Sequence, residues 1–275
     1  MESTYNIKAV IEYDGTLFHG WQKQQELRTV QGELEKALSR ILQQTVSLNG
    51  SGRTDAGVHA ICQVANFHTM KQVELRELCS GINSLIGEDI RVRSLEFVPE
   101  DFHARFSARS RTYQYLLGTD ERCKAPFCSK YIWYVGKLFD RTSIERASES
   151  LLGEKNFVNL SKNDSERDNF ISTVYDLQLR QWQLGYLFEV RANRFLPQMV
   201  RRIVGILVAI GKGDIPPETT EELTREDIAS STHGRIQMAP AKGLFLTGVE
   251  YDNDQVGSEA ESAEWNWRYL NEILY

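Results

Sequence analysis

Apolar residues recur along the first half of the chain with two spacings, one typical of helices and one typical of strands. Residues 30–42 carry apolar side chains on a single helical stripe, and Thr29 stands before them as the N-cap. Residues 7–13 and 58–67 are apolar stretches of strand length. The same criteria predict a helix at 75–85 and strands at 46–50, 90–97 and 112–117. The first half is therefore mixed α+β.

The second half of the chain repeats this order of strands and helices. Residues 171–180 and 187–192 are predicted to form an antiparallel pair joined across "QWQLGY". Residues 197–210 predict a helix with Pro197 in its first turn, where the missing N–H costs nothing. The remaining elements are a strand at 131–134, helices at 143–152 and 220–229, and a strand at 244–251.

Two successive βαββαβ patterns predict an α+β fold made of two ferredoxin-like (RRM-like) halves. Their sheets are expected to join edge to edge into one extended, mainly antiparallel sheet, with helices on one face and a central cleft where a ligand would bind. The first half spans residues 1–118 and the second spans 119–251, with the boundary near 118–130. Residues 252–275 are expected to form an acidic tail or helix.

The composition is typical of a soluble globular protein, since 41% of the 275 residues are hydrophobic and 25% are charged. The chain starts without a basic segment followed by an apolar one, so no signal peptide is expected. Its longest apolar run, "IVGILVAIG", is far shorter than the ~20 residues that cross a bilayer. We therefore expect a cytoplasmic protein without membrane contact, with an organelle or the nucleus left open for a eukaryotic source.

The four cysteines are scattered along the chain, with no CxxC pair and no histidines at zinc-binding spacing. Structural zinc sites combine closely spaced cysteine pairs with histidines or further cysteines. The sequence therefore predicts reduced thiols and no metal site.

The net charge of −6 is distributed unevenly. Residues 249–275 hold seven acidic residues and one arginine, which leaves 31 basic (32 − 1) and 31 acidic (38 − 7) residues elsewhere. Two windows, 91–111 and 191–213, are rich in arginine, with aromatic residues between the arginines. One such arginine is typical of a solvated face, whereas two windows together favour a groove that binds nucleic acid, because guanidinium groups suit phosphates and aromatic rings stack on bases.

The stretch "GSGRTDAGVHA" at residues 50–60 is too polar for a core and lies between two predicted strands. Its glycines allow a ligand to approach the backbone closely. By itself, Asp55 fits a common turn residue as well as a catalytic carboxylate, and the Walker pattern of phosphate-binding loops is absent from the sequence. The residues alone indicate an arginine-lined cleft with one carboxylate candidate.

"GSGRTDAGVHA" resembles the signature loop of the TruA family of tRNA pseudouridine synthases. Further stretches resemble the family in the same order along the chain: "YDGTLFHGWQKQ" with "TVQGELEKAL", then "FHARFSARSRTYQYLL", "ANRFLPQMVRRIVG" and "APAKGLFLTGVEY". Five ordered motifs are far more specific than one. The chain departs from the family pattern at Ala241, where a second proline is common, and in a less typical block at 157–176 that leaves the choice of uridines open.

The resemblance implies an isomerase that converts uridine to pseudouridine in the anticodon arm of tRNA without a cofactor. Asp55 matches the family's catalytic residue, which acts as nucleophile or as base where ribose meets uracil. Arg201 matches the cation that favours the ionised form of this carboxylate. Tyr113 matches the tyrosine placed against the target base, and Leu244 is expected on the other side of the uracil. Arg53 matches the arginine that enters the stem as the base leaves it.

Further RNA contacts are expected from arginines of the two basic windows, namely Arg105, Arg109, Arg111 and Arg202. The resemblance also implies that the protein binds tRNA as a homodimer. His59 and His103 are interpreted as structural or RNA-positioning residues, because this reaction requires no imidazole. Two alternatives stay open, a related synthase that acts on another RNA and a catalytically silent tRNA-binding or folding protein. The silent protein would have no reason to keep Asp55 and Arg201 together in their motifs.

Overall fold

The structure is a computed structural model that describes residues 4–136, 140–162, 168–225 and 237–252. In chain order, the strands and α-helices are β1 (Tyr5–Tyr13), α1 (Val30–Leu42), β2 (Asn49–Gly50), β3 (His59–Thr69), α2 (Leu75–Leu85), β4 (Ile90–Val98), β5 (Ser110–Gly118), α3 (Pro126–Ser129), β6 (Trp133–Tyr134), α4 (Arg141–Glu149), β7 (Gly153–Asn156), β8 (Ile171–Trp182), β9 (Gly185–Ala192), α5 (Met199–Gly211), α6 (Thr219–Leu223) and β10 (Leu244–Glu250). The strands are mostly antiparallel, so the predicted α+β class is confirmed.

These elements form two compact units. Unit 1 comprises the described residues of 1–109 and 245–275, and unit 2 comprises those of 110–244. This division differs from the sequence boundary at residue 118. β5 groups with the second unit, and β10 returns to the first from Phe245 onward.

Unit 1 contains a sheet in which β1 lies between β4 and β3, antiparallel to both. β2 and β10 both pair with β3, the first antiparallel and the second parallel. The order β1-α1-β2-β3-α2-β4 is that of a ferredoxin-like unit. Thr29 caps α1 by accepting the N–H of Gly32, and the predicted apolar stripe of α1 is buried through Leu34, Leu38 and Leu42.

A loop at residues 99–109, called here the 99–109 loop, is fastened to unit 1. Phe102 packs against Val64 of β3 and is 2% exposed. The side-chain amide of Asn6 donates to the Phe102 carbonyl at 2.8 Å, and that of Asn66 accepts the N–H of Ala104 at 2.9 Å. The loop is thus held through its backbone as well as through its apolar side chains.

In unit 2, antiparallel strands follow the order β5-β9-β8-β7, and the short β6 is parallel to β5. α5 is largely buried, and the N–H of Asp140, which caps α4, donates to the carbonyl of Gly211 at 2.8 Å. A Cβ on Gly205 of α5 would lie 2.1 Å from the Gln237 carbonyl oxygen. The chain near residue 237 therefore runs directly over this helix.

Most of the predicted elements are confirmed, and α1 and α2 match their predicted bounds to the residue. The helix predicted at 197–210 begins at Met199 instead, so Pro197 does not occupy its first turn. The reason is Gln198, which adopts a left-handed φ of 64° and serves as the N-cap.

Three other predictions are changed or fall at least partly outside the described residues. The strand predicted at 46–50 is reduced to β2. The helix predicted at 220–229 is seen as α6, and its last four positions lie outside the described residues, as does the predicted acidic tail beyond residue 252.

All four cysteines lie within the described residues as thiols that form no disulfide. Across the described ranges, every helix is too short or too polar to cross a membrane. Within the same ranges, no three His, Cys, Asp or Glu side chains are grouped so that they could hold a metal ion.

Candidate active site

The loop that joins β2 to β3 is fixed at its start by Ser51 and Gln63. The Ser51 N–H donates to the Val64 carbonyl at 2.7 Å, and its hydroxyl donates to the side-chain oxygen of Gln63 at 2.7 Å. The Gln63 amide donates in turn to the Gly52 carbonyl at 3.0 Å. Ser51 and Gln63 are both buried, so water does not compete for these bonds and the first turn of the loop is held firmly.

Thr54, the residue before Asp55, is held through both its side chain and its backbone. Its hydroxyl lies 2.8 Å from the Tyr13 hydroxyl, and its carbonyl accepts the N–H of Trp21 at 3.1 Å. Burial raises the pKa of Tyr13, so the phenol stays protonated in this contact. Gly20 has a φ of +90°, and a Cβ there would lie 2.6 Å from the Thr54 carbonyl oxygen. The chain just before Asp55 is therefore fixed from two directions.

Asp55 lies half-buried at the start of a tight turn. Its carbonyl accepts the N–H of Val58 at 3.1 Å, and Gly57 adopts a φ of +78°, which other residues rarely take. The Gly57 N–H donates to the Phe18 carbonyl at 3.4 Å. Because the backbone is anchored on both sides of Asp55, its carboxylate projects from a fixed point rather than from a mobile loop tip.

Arg53 precedes Asp55 by two residues and is exposed to solvent. Thr54 between them is buried, so the loop turns one side chain inward and leaves the arginine outside. The loop thus presents a cation and a carboxylate on a short, well-anchored segment.

His59, the first residue of β3, is packed inside unit 1. It is 1% exposed, and its ring stacks on that of Phe245 with 4.7 Å between centroids. Its Nδ1 accepts the Gly15 N–H at 3.0 Å and lies 3.2 Å from the Asp14 carboxylate. This environment is that of a structural histidine.

In unit 2, Tyr113 lies on β5 opposite Val190 of β9. Its side chain is 6% exposed and meets the ring of Phe195 edge to face, with 5.1 Å between centroids and 86° between planes. Such a T-shaped pair restricts the orientation of both rings.

Arg201 lies in the first turn of α5 and ties this helix to the segment that leads into β10. Its Nε donates to the Ala239 carbonyl at 2.8 Å, and the Ala239 N–H donates to the Arg201 carbonyl at 3.0 Å. The next carbonyl, that of Pro240, accepts the Tyr115 hydroxyl at 2.7 Å. Leu244, at the start of β10, is 5% exposed. One short segment therefore links the positions of Arg201 and Leu244.

Two of the arginines predicted to bind RNA are exposed in unit 1. Arg105 lies in the 99–109 loop. Arg109 ends this loop, and its side chain forms an ion pair with Asp252. Both side chains are exposed, and on binding a polyanion Arg109 would exchange a carboxylate for a phosphate.

The other two predicted arginines are less accessible. Arg111 is 7% exposed and donates to the Asn193 carbonyl at 2.9 Å. Arg202 is half-buried, and its Nη2 donates to the side-chain oxygen of Gln198 at 3.2 Å. Each therefore has an evident structural contact besides the predicted role in RNA binding.

The predicted site residues divide between the two units. Arg53 and Asp55 share one loop of unit 1, whereas Tyr113, Arg201 and Leu244 belong to unit 2.

Sequence reasoning missed the residues that hold the Asp55 loop, above all Tyr13 and Gln63. Tyr13 has the apolar ring expected of any core strand residue, so nothing in the pattern distinguished it. Gln63 did offer a signal, because it interrupts an apolar strand and a buried amide requires hydrogen-bond partners.

The chain matches a family described as tRNA pseudouridine synthase over residues 9–107 and 147–252. Several bacterial proteins named tRNA pseudouridine synthase A are similar over nearly the whole chain. The one from Chlorobium limicola is 40% identical over 252 residues, which cover 90% of this chain and 99% of that protein. The one from Nitrosomonas eutropha is 38% identical over 270 residues, covering 97% and 91%. The one from Maridesulfovibrio salexigens is 37% identical over 258 residues, covering 93% and 94%.

Proposed function

Because this chain belongs to the tRNA pseudouridine synthase family and is therefore an isomerase that acts on tRNA, we propose that its target uridines lie in the anticodon arm and that Asp55 carries the chemistry. The observation that best supports the role of Asp55 is its anchoring. Thr54 before it is bound by Tyr13 and Trp21, and its own carbonyl is bound by Val58. A catalytic carboxylate must be held in a productive geometry by its surroundings, and this loop meets that requirement.

The reaction needs one carboxylate and no redox partner. The bond between ribose C1′ and uracil N1 breaks, the uracil turns, and a bond forms between C1′ and C5. A proton leaves C5 and a proton is taken up at N1, so all atoms of the nucleotide are retained. The carboxylate either attacks the sugar as a nucleophile or removes a proton from it as a base. Both routes regenerate the ionised carboxylate that we assign to Asp55, and neither requires a cofactor.

Other predicted residues are assigned supporting roles. Tyr113 contacts the target base, with its ring oriented by Phe195. Arg201 favours the ionised form of Asp55, and Leu244 packs against the uracil. We assign the backbone contacts with tRNA to Arg105, Arg109, Arg111 and Arg202. The functional form is a homodimer, which analytical ultracentrifugation would show as twice the chain mass.

Arg53 receives a separate role, which the family resemblance implies and its exposure next to Asp55 allows. Extruding a uridine from a stem costs a few kcal/mol, and a side chain that fills the vacated space offsets part of this cost. We assign Arg53 to that position in the stem.

The substitution Asp55→Asn tests the central assignment. Asparagine keeps the size of the side chain but supplies neither a nucleophile nor a base, so isomerisation should be abolished while tRNA affinity stays within a few-fold of wild type. Release of tritium from tRNA labelled at uridine C5 reports the reaction, and filter binding of the same variants reports affinity.

The exposed Asp214 offers a matched control, since Asp214→Asn changes the charge by the same amount outside the site. It should leave both measurements unchanged. Appreciable turnover by Asp55→Asn would refute the catalytic role of Asp55. Wild-type protein that binds tRNA without releasing tritium would instead indicate a silent tRNA-binding protein. Mapping the pseudouridines formed in tRNA would show whether the sites lie in the anticodon arm.

A further inference from the structure

Phe106 is a large aromatic side chain exposed to solvent in a loop that is otherwise firmly held. It is 77% exposed at the outer turn of the 99–109 loop, while Phe102 in the same loop is 2% exposed. Leaving an aromatic ring in water forgoes the free energy of its burial. Such a ring on a rigid support is typical of a contact surface rather than of a core.

The support of Phe106 is built from backbone contacts on its N-terminal side. The carbonyl of Ala104 accepts the hydroxyl of Tyr251 at 2.7 Å, and its N–H donates to Asn66 at 2.9 Å. Ala104 itself is fully buried. Phe106 is therefore presented only two residues from a fixed point, so little conformational entropy would be lost when a partner binds.

The turn around Phe106 is closed by His103 and Ser107. The Ser107 N–H donates to the His103 carbonyl at 2.9 Å, and the His103 N–H donates to the Ser107 hydroxyl at 3.1 Å. The Nδ1 of His103 accepts the N–H of Arg105 at 3.1 Å and that of Phe106 at 3.4 Å. Because Nδ1 is an acceptor in both contacts, the neutral ring carries its proton on Nε2.

The His103 ring also supports the Phe106 ring directly. Their centroids are 4.4 Å apart. Burial, with a smaller contribution from the Arg105 charge, lowers the pKa of His103, so the imidazole is neutral at neutral pH. The Arg105 guanidinium lies over the Phe106 ring, 5.7 Å from its centroid, and adds positive charge next to the exposed ring.

We propose that His103, Arg105 and Phe106 form a stacking platform for an unpaired nucleobase of the RNA substrate, with Arg105 contacting an adjacent phosphate. An exposed aromatic ring with a guanidinium close to it is an arrangement by which proteins hold single-stranded nucleic acid, since every base has a face to stack and every nucleotide a charge to neutralise. This inference rests on the proposed function in that the RNA is tRNA. It adds a binding site, separate from the chemistry, for a base that is not the one isomerised.

The substitution Phe106→Leu tests the platform because it keeps an apolar side chain and removes the aromatic face. Affinity for an unmodified anticodon stem-loop should fall about 5- to 10-fold, whereas affinity for a fully paired RNA duplex of equal length should not change. Phe106→Trp should restore stem-loop binding, and its indole fluorescence should be quenched when the stem-loop binds.

Phe127→Leu is the matched control, because Phe127 is 90% exposed and belongs to unit 2. It should leave both affinities unchanged, and thermal unfolding should show all three variants to be folded. Equal affinity of Phe106→Leu and wild type for the stem-loop would overturn the proposal, and so would equal losses for stem-loop and duplex. A shift of Phe106→Leu toward monomer without loss of RNA binding would overturn it in favour of a protein contact.

The same measurements separate this inference from the proposed function. Wild-type protein that binds the stem-loop through Phe106 but does not isomerise uridine would contradict the proposed function alone. Normal isomerisation with unchanged binding by Phe106→Leu would contradict the platform alone.

Discussion

The Tyr13 hydroxyl reaches Thr54 across 41 positions of sequence, from the last residue of β1 to the residue before Asp55. Tyr13 is 4% exposed and Thr54 is 7% exposed, so water cannot replace either hydroxyl if the other is lost. An unpaired buried hydroxyl costs about 1–3 kcal/mol, which the chain can reduce by moving the loop. We therefore expect the position of Asp55 to depend on the Tyr13 phenol.

We expect Tyr13→Phe to slow single-turnover isomerisation by about tenfold, in keeping with the loss of one positioning contact of ~1.4 kcal/mol, and to leave tRNA affinity unchanged. Thr54→Val removes the other hydroxyl and should have a similar effect. Combining the two substitutions should cost less than the sum, because both remove the same bond. A wild-type single-turnover rate for Tyr13→Phe would show that this bond does not position Asp55.

Periodicity and local capping account for the elements that the sequence predicted well. α1 and α2 match their predicted bounds because apolar spacing and terminal caps are local properties of the chain. The strand predicted at 46–50 is shorter because side chains of α1 take its amides. The Val46 N–H donates to Ser39, and the Leu48 N–H donates to the Glu35 carboxylate. These bonds depend on how the segment packs against α1, so hydrophobic periodicity does not reveal them.

The candidate site shows the same difference between what local sequence predicts and what packing determines. The family resemblance is what made Asp55 the catalytic candidate. From the residues alone, Asp55 fits a turn residue as well as a catalytic carboxylate. Its support by Tyr13 and Gln63 depends on strand register, which brings together residues that are far apart in the chain.

Gly50, the last residue of β2, tests how this element supports the loop. A Cβ there would lie 2.5 Å from the indole Nε1 of Trp21, whose backbone N–H holds the Thr54 carbonyl. Gly50→Ala should therefore destabilise the protein by ~1–3 kcal/mol through overpacking and should slow isomerisation. Urea unfolding and single-turnover assays measure the two effects.

Gly81→Ala is the control for Gly50→Ala. Gly81 lies in α2, where a Cβ would meet only the flexible end of Ile41 at 3.3 Å and alanine favours the helix by ~1 kcal/mol. Its unfolding free energy should stay the same or rise. Equal destabilisation by both substitutions would mean that the Trp21 contact is not the cause.

At the scale of the whole molecule, charge is distributed unevenly. The acidic residues near the end of the chain account for the net negative charge, and the remaining residues carry equal numbers of basic and acidic groups. Arg53 and Arg105 are exposed and can contact phosphates, whereas Arg109 forms an ion pair with Asp252. Binding of tRNA should therefore release counterions and weaken steeply with salt, with a log–log slope of about −0.7 to −0.9 for each neutralised phosphate. The net negative charge of the protein does not prevent this, since the local field decides the contact.

We expect Arg105→Ala to reduce the magnitude of the salt slope by about one, since one phosphate contact is removed. Lys36→Ala removes an equal charge from the exposed face of α1 and should leave the slope unchanged. Filter binding between low and moderate salt gives both slopes. A dissociation constant independent of salt would contradict the arginine contacts altogether.

The pairing of β10 with β3 has a consequence for the order in which the protein is made. Phe245 of β10 pairs with His59 of β3, and the Tyr251 hydroxyl donates to the Ala104 carbonyl. The last strand of unit 1 therefore lies nearly two hundred residues after β3 in the sequence. At the usual ribosomal rate of about 5–20 residues per second, roughly 10–40 s pass between synthesis of these two strands. During that interval the nascent chain carries the Asp55 loop without its last supporting strand. We therefore expect the protein to become able to bind RNA only when translation of the chain is almost complete.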